Sequence, residues 1–128
     1  MAIVALGMDL TQVERVREVL ERRGARFAAR VFTEGERAYC ERRKAAANSY
    51  AGRFAVKEAV MKALGTGWAR GVRWVDIEVV RPPGEAPTVV LHGAALEHAR
   101  RRGIARWHIT ITHDGGLAAA VAVAESEA

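Results

Sequence analysis

An α+β fold is what this chain of 128 residues predicts, and three patterns predict it. Strand-like alternation sits at the start and again near the end. Three helical stretches with their own start and stop signals follow the first strand in succession. A Gly-Gly turn then joins the last two strand patterns as a hairpin. The resulting order, β-ααα-ββ-α-ββ, argues for helices packed on a largely antiparallel sheet. At this length residues 1–128 make one domain with one core.

Taken in order, "AIVALGMDL" reads as a buried first strand, with Ile3, Ala5, Gly7 and Asp9 on one face and Val4, Leu6, Met8 and Leu10 on the other. "TQVE" (Thr11 to Glu14) has the form of a capping box. It would open a helix to about Arg23 that turns Val13, Val16, Val19 and Leu20 inward and ends at Gly24. "TEGE" (Thr33 to Glu36) opens a second helix, and Asn48 or Ser49 is expected to cap a third that stops at "GTG", Gly65 to Gly67. "VDIEVV" and "TVVLHG" flank the turn "RPPGEAP" as short strands, and "AALEHARRRG" is a short helix. "HITIT" and "LAAAVAVAE" complete the hairpin around His113, Asp114, Gly115 and Gly116. The last strand is so slim that a close neighbour is expected against it, with another subunit the first candidate.

Half the residues are hydrophobic and 27% are charged, a globular balance. The lone Cys40 rules out an internal disulfide and suits a reducing compartment. The apolar start lacks a basic leader region and is interrupted by Asp9, so a cytoplasmic protein is expected, with no membrane partner. A net charge of +5 points to an anionic partner without naming it.

Lysine usage is lopsided. Of 20 Lys plus Arg only Lys44, Lys57 and Lys62 are lysine, and the latter two flank Glu58 in "RFAVKEAVMKAL". Lysine carries a mobile point charge where arginine carries a rigid fork. Glu58 and Lys62 are four apart on one helix face, which an ordinary ion pair would explain. Asp9 makes more of them. Thr11 is expected to take the capping role, which leaves the Asp9 carboxylate at the strand end without a structural duty. Two carboxylates from distant segments are what a Mg²⁺–phosphate site needs, because magnesium takes one or two of them and fills its remaining positions with water and phosphate oxygens. Lys57 and Lys62 would then face phosphates, and the "GTG" amides add close approach. His113 is either a turn histidine or a phosphate or base ligand. Arg15, Arg22, Arg23, Arg26 and Arg30 form a basic strip along the first helix and its exit. Few aromatics interleave with it, which argues against RNA. A non-catalytic module for an acidic partner and a phosphohydrolase using the same metal site are the alternatives.

Four blocks, "ALGMDL", "RFAARVFTEGERAYC", "GRFAVKEAVMKALGTG" and "ITITHDGGLAAAVAV", together resemble the signature blocks of the holo-[acyl-carrier-protein] synthases of the 4′-phosphopantetheinyl transferase superfamily. The resemblance covers essentially the whole chain; Leu117 departs from it where relatives often carry an aromatic. It implies transfer of 4′-phosphopantetheine from coenzyme A to a serine of an apo acyl carrier protein, in support of fatty acid biosynthesis. It also implies a homotrimer with active sites at subunit interfaces and no nucleic-acid partner. Asp9 and Glu58 would hold Mg²⁺, and Asp9, Glu58 and Lys62 would be catalytic. Arg53, Lys57, Lys62, Gly65, Thr66 and His113 would bind coenzyme A. Arg15, Arg22, Arg26 and Arg30 would dock the acidic carrier.

Overall fold

The computed structural model describes residues 1–127. Its elements are β1 (Ile3–Gln12), α1 (Val13–Val31), α2 (Glu34–Glu41), α3 (Ala46–Leu64), β2 (Ile77–Val80), β3 (Thr88–Leu91), α4 (Gly93–Arg101), β4 (Ile104–Asp114) and β5 (Leu117–Ser126), with a 3₁₀ turn at Trp74–Asp76 before β2. The α+β class and the element order are as expected, and every strand pairing among the described residues is antiparallel. The strands form two sheets, one ordered β1-β5-β4 and the other a β2-β3 pair.

The final hairpin anchors the larger sheet. Gly115 and Gly116 both adopt positive φ, 56° and 80°, as a two-residue turn of the primed kind requires. That turn also starts α1, because the Gly116 carbonyl accepts the Val13 amide at 2.9 Å.

Helix α3 organises the core. Most of its side chains are buried, as expected of a helix walled in on nearly every side. Its alanines lie on the sheet so tightly that a Cβ on Gly7 would come within 1.8 Å of the Ala59 carbonyl oxygen. Across from it, Ala118, Ala120, Ala122 and Ala124 are all buried and join that contact. This corrects the expectation for the slim last strand. The neighbour that requires small residues there is α3 of the same chain. The opposite sheet face is where Leu6, Met8 and Leu10 stand exposed, in register with Val123, Val121 and Ala119.

Helix starts differ in detail. Thr33 and Glu36 form the predicted capping box of α2. Thr11 does not cap α1: β1 runs on to Gln12, whose side chain makes no cap bond. The hydroxyl of Thr11 goes to Asp9 instead, at 2.8 Å. Asn48 and Ser49 lie inside α3, which starts after Ala45. Gly24 interrupts α1 with φ 63° and ψ −147°, as predicted, but helix resumes beyond it to Val31. Only the last four residues of "VDIEVV", Ile77–Val80, are strand, since Trp74–Asp76 forms the 3₁₀ turn.

Candidate active site

At the far end of β1 and the middle of α3, one hollow of about 470 Å³ is lined by Asp9, Thr11, Gln12, Arg15, Phe54, Glu58 and Leu117. The close helix–sheet packing described above explains why a strand residue and a helix residue meet here. Asp9 and Thr11 are two apart on the strand and share its inner face. The Thr11 hydroxyl donates to Asp9 Oδ2 at 2.8 Å, while Lys62 Nζ donates to Asp9 Oδ1 and to the Met8 carbonyl, each at 3.1 Å. Asp9 is therefore already bonded on both oxygens, which corrects the view that its carboxylate lacks a structural duty. The simple Glu58–Lys62 ion pair is replaced by a cross-element one, Lys62 to Asp9.

Glu58 stands apart from these bonds. Burial, and then the nearby Asp9 carboxylate, raise its pKa above the ordinary carboxylate value, with Lys62 opposing. A carboxyl raised in this way is a stronger base than an ordinary glutamate. Asp9 and Glu58 also suit a hard divalent cation by their chemistry. Among the described residues no three His, Cys, Asp or Glu gather as a metal cluster, but magnesium, unlike structural zinc, asks for no more than one or two carboxylates.

Lys57 is elsewhere. Its side chain is fully buried, and its ammonium bonds Glu36 Oε1 at 2.8 Å, the Trp74 carbonyl at 3.0 Å and the Ile77 carbonyl at 2.5 Å. All three donors are spent, so Lys57 reaches no phosphate; the expectation that it binds coenzyme A is corrected. Desolvation lowers its pKa against the pull of Glu36. The same Glu36 caps α2 and accepts the Val79 amide at 2.8 Å, so this buried pair ties α2, α3 and β2 together.

A second hollow, about 450 Å³, lies toward the start of α3 and shares no lining residue with the first. Arg53 and His113 are both there, with Tyr39, Arg43, Arg81, Pro87 and Ile111. Arg53 is only 5% exposed, its guanidinium lies 4.0 Å over the Tyr39 ring, and its Nε is buried without a hydrogen-bond partner among the described residues. His113 Nε2 donates to the Asn48 carbonyl at 2.8 Å across Gly52, where a Cβ would crowd the imidazole at 3.3 Å. Basic groups converging on one concavity suit an anion.

The remaining predicted residues divide. Gly65 ends α3 in a left-handed conformation, and the hydroxyl of buried Thr66 donates to the Gly67 carbonyl at 2.8 Å. Neither lines the two hollows. Arg15, Arg22, Arg26 and Arg30 are exposed. Arg26 and Arg30 border a third hollow with Arg23 and Phe27, whereas Arg15 sits beside Asp9 and Glu58. Sequence reasoning missed Thr11 as the residue that holds Asp9, though the D-x-T spacing signals it. It also missed Arg43 and Arg81, which only the tertiary fold brings beside Arg53. Cys40 is buried, and desolvation pushes its thiol up to about 12, so it is no nucleophile.

Fold and site together place an acidic pair in one hollow and a basic cluster in another. Residues 5–122 match the family description "4′-phosphopantetheinyl transferase superfamily". The holo-[acyl-carrier-protein] synthase of Anaeromyxobacter dehalogenans (strain 2CP-1) is 51% identical over 126 residues, 96% of each chain. The crystal structure of holo-[acyl-carrier-protein] synthase from Neisseria meningitidis superimposes with a TM-score of 0.87 at 28% identity, covering 98% of this chain and 100% of that one. The Helicobacter pylori enzyme, solved in complex with coenzyme A, gives 0.82 at 30% identity over 94% and 99%. The chain belongs to the 4′-phosphopantetheinyl transferase superfamily. It is an enzyme, and within that superfamily its likeness is to the holo-[acyl-carrier-protein] synthases.

Proposed function

We propose that this enzyme moves 4′-phosphopantetheine from coenzyme A to a serine of an apo acyl carrier protein, with Mg²⁺, releasing adenosine 3′,5′-bisphosphate. The observation that carries the proposal is the meeting of Asp9 and Glu58, from a strand end and a helix, in one hollow, with Lys62 bonded to Asp9. Asp9 and Glu58 would hold the cation, which supplies charge neutralisation at the pyrophosphate. Glu58 takes the serine proton through a water as the hydroxyl attacks phosphorus. Lys62 neutralises or protonates the phosphate that leaves. The transferred phosphoryl oxygen count is unchanged: the serine oxygen replaces the bridging oxygen of the anhydride.

The nucleotide end of coenzyme A fits the second hollow, where Arg53 and His113 stand with Arg43 and Arg81. Because the two hollows share no residue, a second copy of the chain is the natural source of the matching half. A homotrimer follows in this reading, and the exposed strip of Leu6, Met8 and Leu10 beside Val121 and Val123 supports it as an apolar interface. The carrier docks on Arg15, Arg22, Arg26 and Arg30, and the product serves fatty acid synthesis in the cytoplasm.

Intact mass of an apo acyl carrier protein tests the proposal directly. Incubation with enzyme, coenzyme A and Mg²⁺ adds one phosphopantetheine, and EDTA abolishes the gain. Glu58→Gln lowers the rate by about two to three orders of magnitude, the scale set by losing one group that acts in the transition state. A carrier left unmodified by folded native enzyme, with several carriers tried, would overturn the reading.

A further inference from the structure

We infer that Lys62 couples the two ligands of this site, holding Asp9 in the free enzyme and releasing it as phosphate and divalent cation arrive together. The inference rests on the functional reading above and goes beyond it, since it concerns the order of affinities and not the reaction.

The geometry around Asp9 carries it. Oδ2 accepts the Thr11 hydroxyl at 2.8 Å, and Thr11 is buried, so that bond is fixed by the fold. Oδ1 accepts the Lys62 ammonium at 3.1 Å. The ammonium spends a second donor on the Met8 carbonyl, also at 3.1 Å. The two partners of this pair differ in freedom: the Lys62 side chain is 55% exposed and that of Asp9 11%. Lys62 is thus the partner that can leave, on a flexible four-carbon stem.

A divalent cation seeking Asp9 meets a carboxylate already neutralised by one positive charge. Binding without displacement would put like charges side by side in a partly buried hollow, which Coulomb repulsion opposes. Displacement alone strips the ammonium of its anion. A phosphate supplied at the same moment gives that ammonium a new partner and gives the cation further oxygens. Each ligand therefore removes a cost that the other would face alone. Such coupling is reciprocal: what phosphate does for cation affinity, the cation does for phosphate affinity.

Calorimetry on metal-free enzyme separates this from a general charge effect, in two arms. In the first, Mn²⁺ is titrated without coenzyme A. Lys62→Met binds it about five-fold or more tighter than native enzyme, the lower end of ordinary coupling. Arg15→Met removes a positive charge from the same hollow without touching Asp9, and gains less than about two-fold. In the second arm, coenzyme A is titrated in EDTA. Asp9→Asn weakens the hold on Lys62 and tightens coenzyme A binding by about five-fold beyond any gain in Glu58→Gln, which removes a neighbouring negative charge and leaves Lys62 held. Circular dichroism confirms that the variants are folded. If Lys62→Met matches Arg15→Met, or Asp9→Asn matches Glu58→Gln, while native enzyme still modifies the carrier, the coupling is wrong and the transferase reading stands. If native enzyme neither binds coenzyme A nor modifies a carrier, the reading fails and the coupling fails with it.

Discussion

Two lysines five positions apart on one helix meet opposite surroundings. Lys57 is sealed in the core with three oxygen partners, one of them the Glu36 carboxylate. Lys62 stands at the rim, more than half exposed, bonded to Asp9. The residue type is the same and the helix is the same, so the difference comes from what packs on each side. The Lys57 side of α3 is closed by α2, the 3₁₀ turn and β2, and the Lys62 side borders the open end of β1. A buried ammonium whose donors are all used is a tie between elements. An exposed one on a flexible stem is free to exchange partners. The site needs both: one face of α3 held still so that the other can work.

The contrast can be broken most forcefully at its fixed end. Lys57→Met strands Glu36 in the core, and stability falls by about 3–5 kcal/mol in chemical denaturation, the range for breaking a buried pair from one side. Adding Glu36→Gln recovers part of that loss, since the uncompensated charge is gone. If Lys57→Met were harmless, the two lysines would not differ in kind. Next comes Gly7→Ala, which sets a methyl carbon against the Ala59 carbonyl. It costs about 1–3 kcal/mol or more as overpacking, and it lowers activity in the molecules that still fold by shifting α3 off β1.

Smaller effects sharpen the rim. Arg26→Ala and Arg30→Ala leave the unfolding midpoint unchanged, slow association with an acidic carrier a few-fold each (an order-of-magnitude figure), and flatten its salt dependence. The smallest is a sign. Glu58 has a folded pKa above its ordinary 4.5, caused by burial and Asp9. Below the unfolded pKa both states hold the proton and nothing is gained or lost. As pH rises past that value the unfolded chain ionises first, so stability drains until the folded pKa is passed. In EDTA, Glu58→Gln is therefore the more stable protein at neutral pH, and its advantage closes as pH falls toward 4.5. A gap that widened on acidification would reverse the assignment of burial as the cause.

Much of this was legible in the chain because it is local. Strand alternation, the Thr33–Glu36 capping box, the glycine stop at Gly65 and the Gly115–Gly116 turn each need only neighbours in sequence, and each is found. That Asp9, Glu58 and Lys62 belong to one site was legible in the chain, but the bond between Asp9 and Lys62 was not, because Glu58 stood as the sequence-local partner of Lys62. What failed was whatever depends on a distant partner. Lys57 carries the same letter as Lys62, and only the fold says that Glu36 lies beneath it. Thr11 satisfied the capping pattern, yet strand pairing with β5 outlasted it and carried the backbone past the point where a cap would form. The alanines of β5 showed that something presses close, but could not say that α3 does so.

That pressing has a further meaning for chemistry. Gly7 of β1 meets the Ala59 main chain with no side chain between them, and Asp9 and Glu58 lie two residues and one residue away from that contact. The spacing of the two backbone positions that carry Asp9 and Glu58 is therefore set by main-chain contact. A site gauged in this manner keeps its span while its surroundings change. Residues around the two hollows can drift in sequence without moving the backbone positions that carry Asp9 and Glu58.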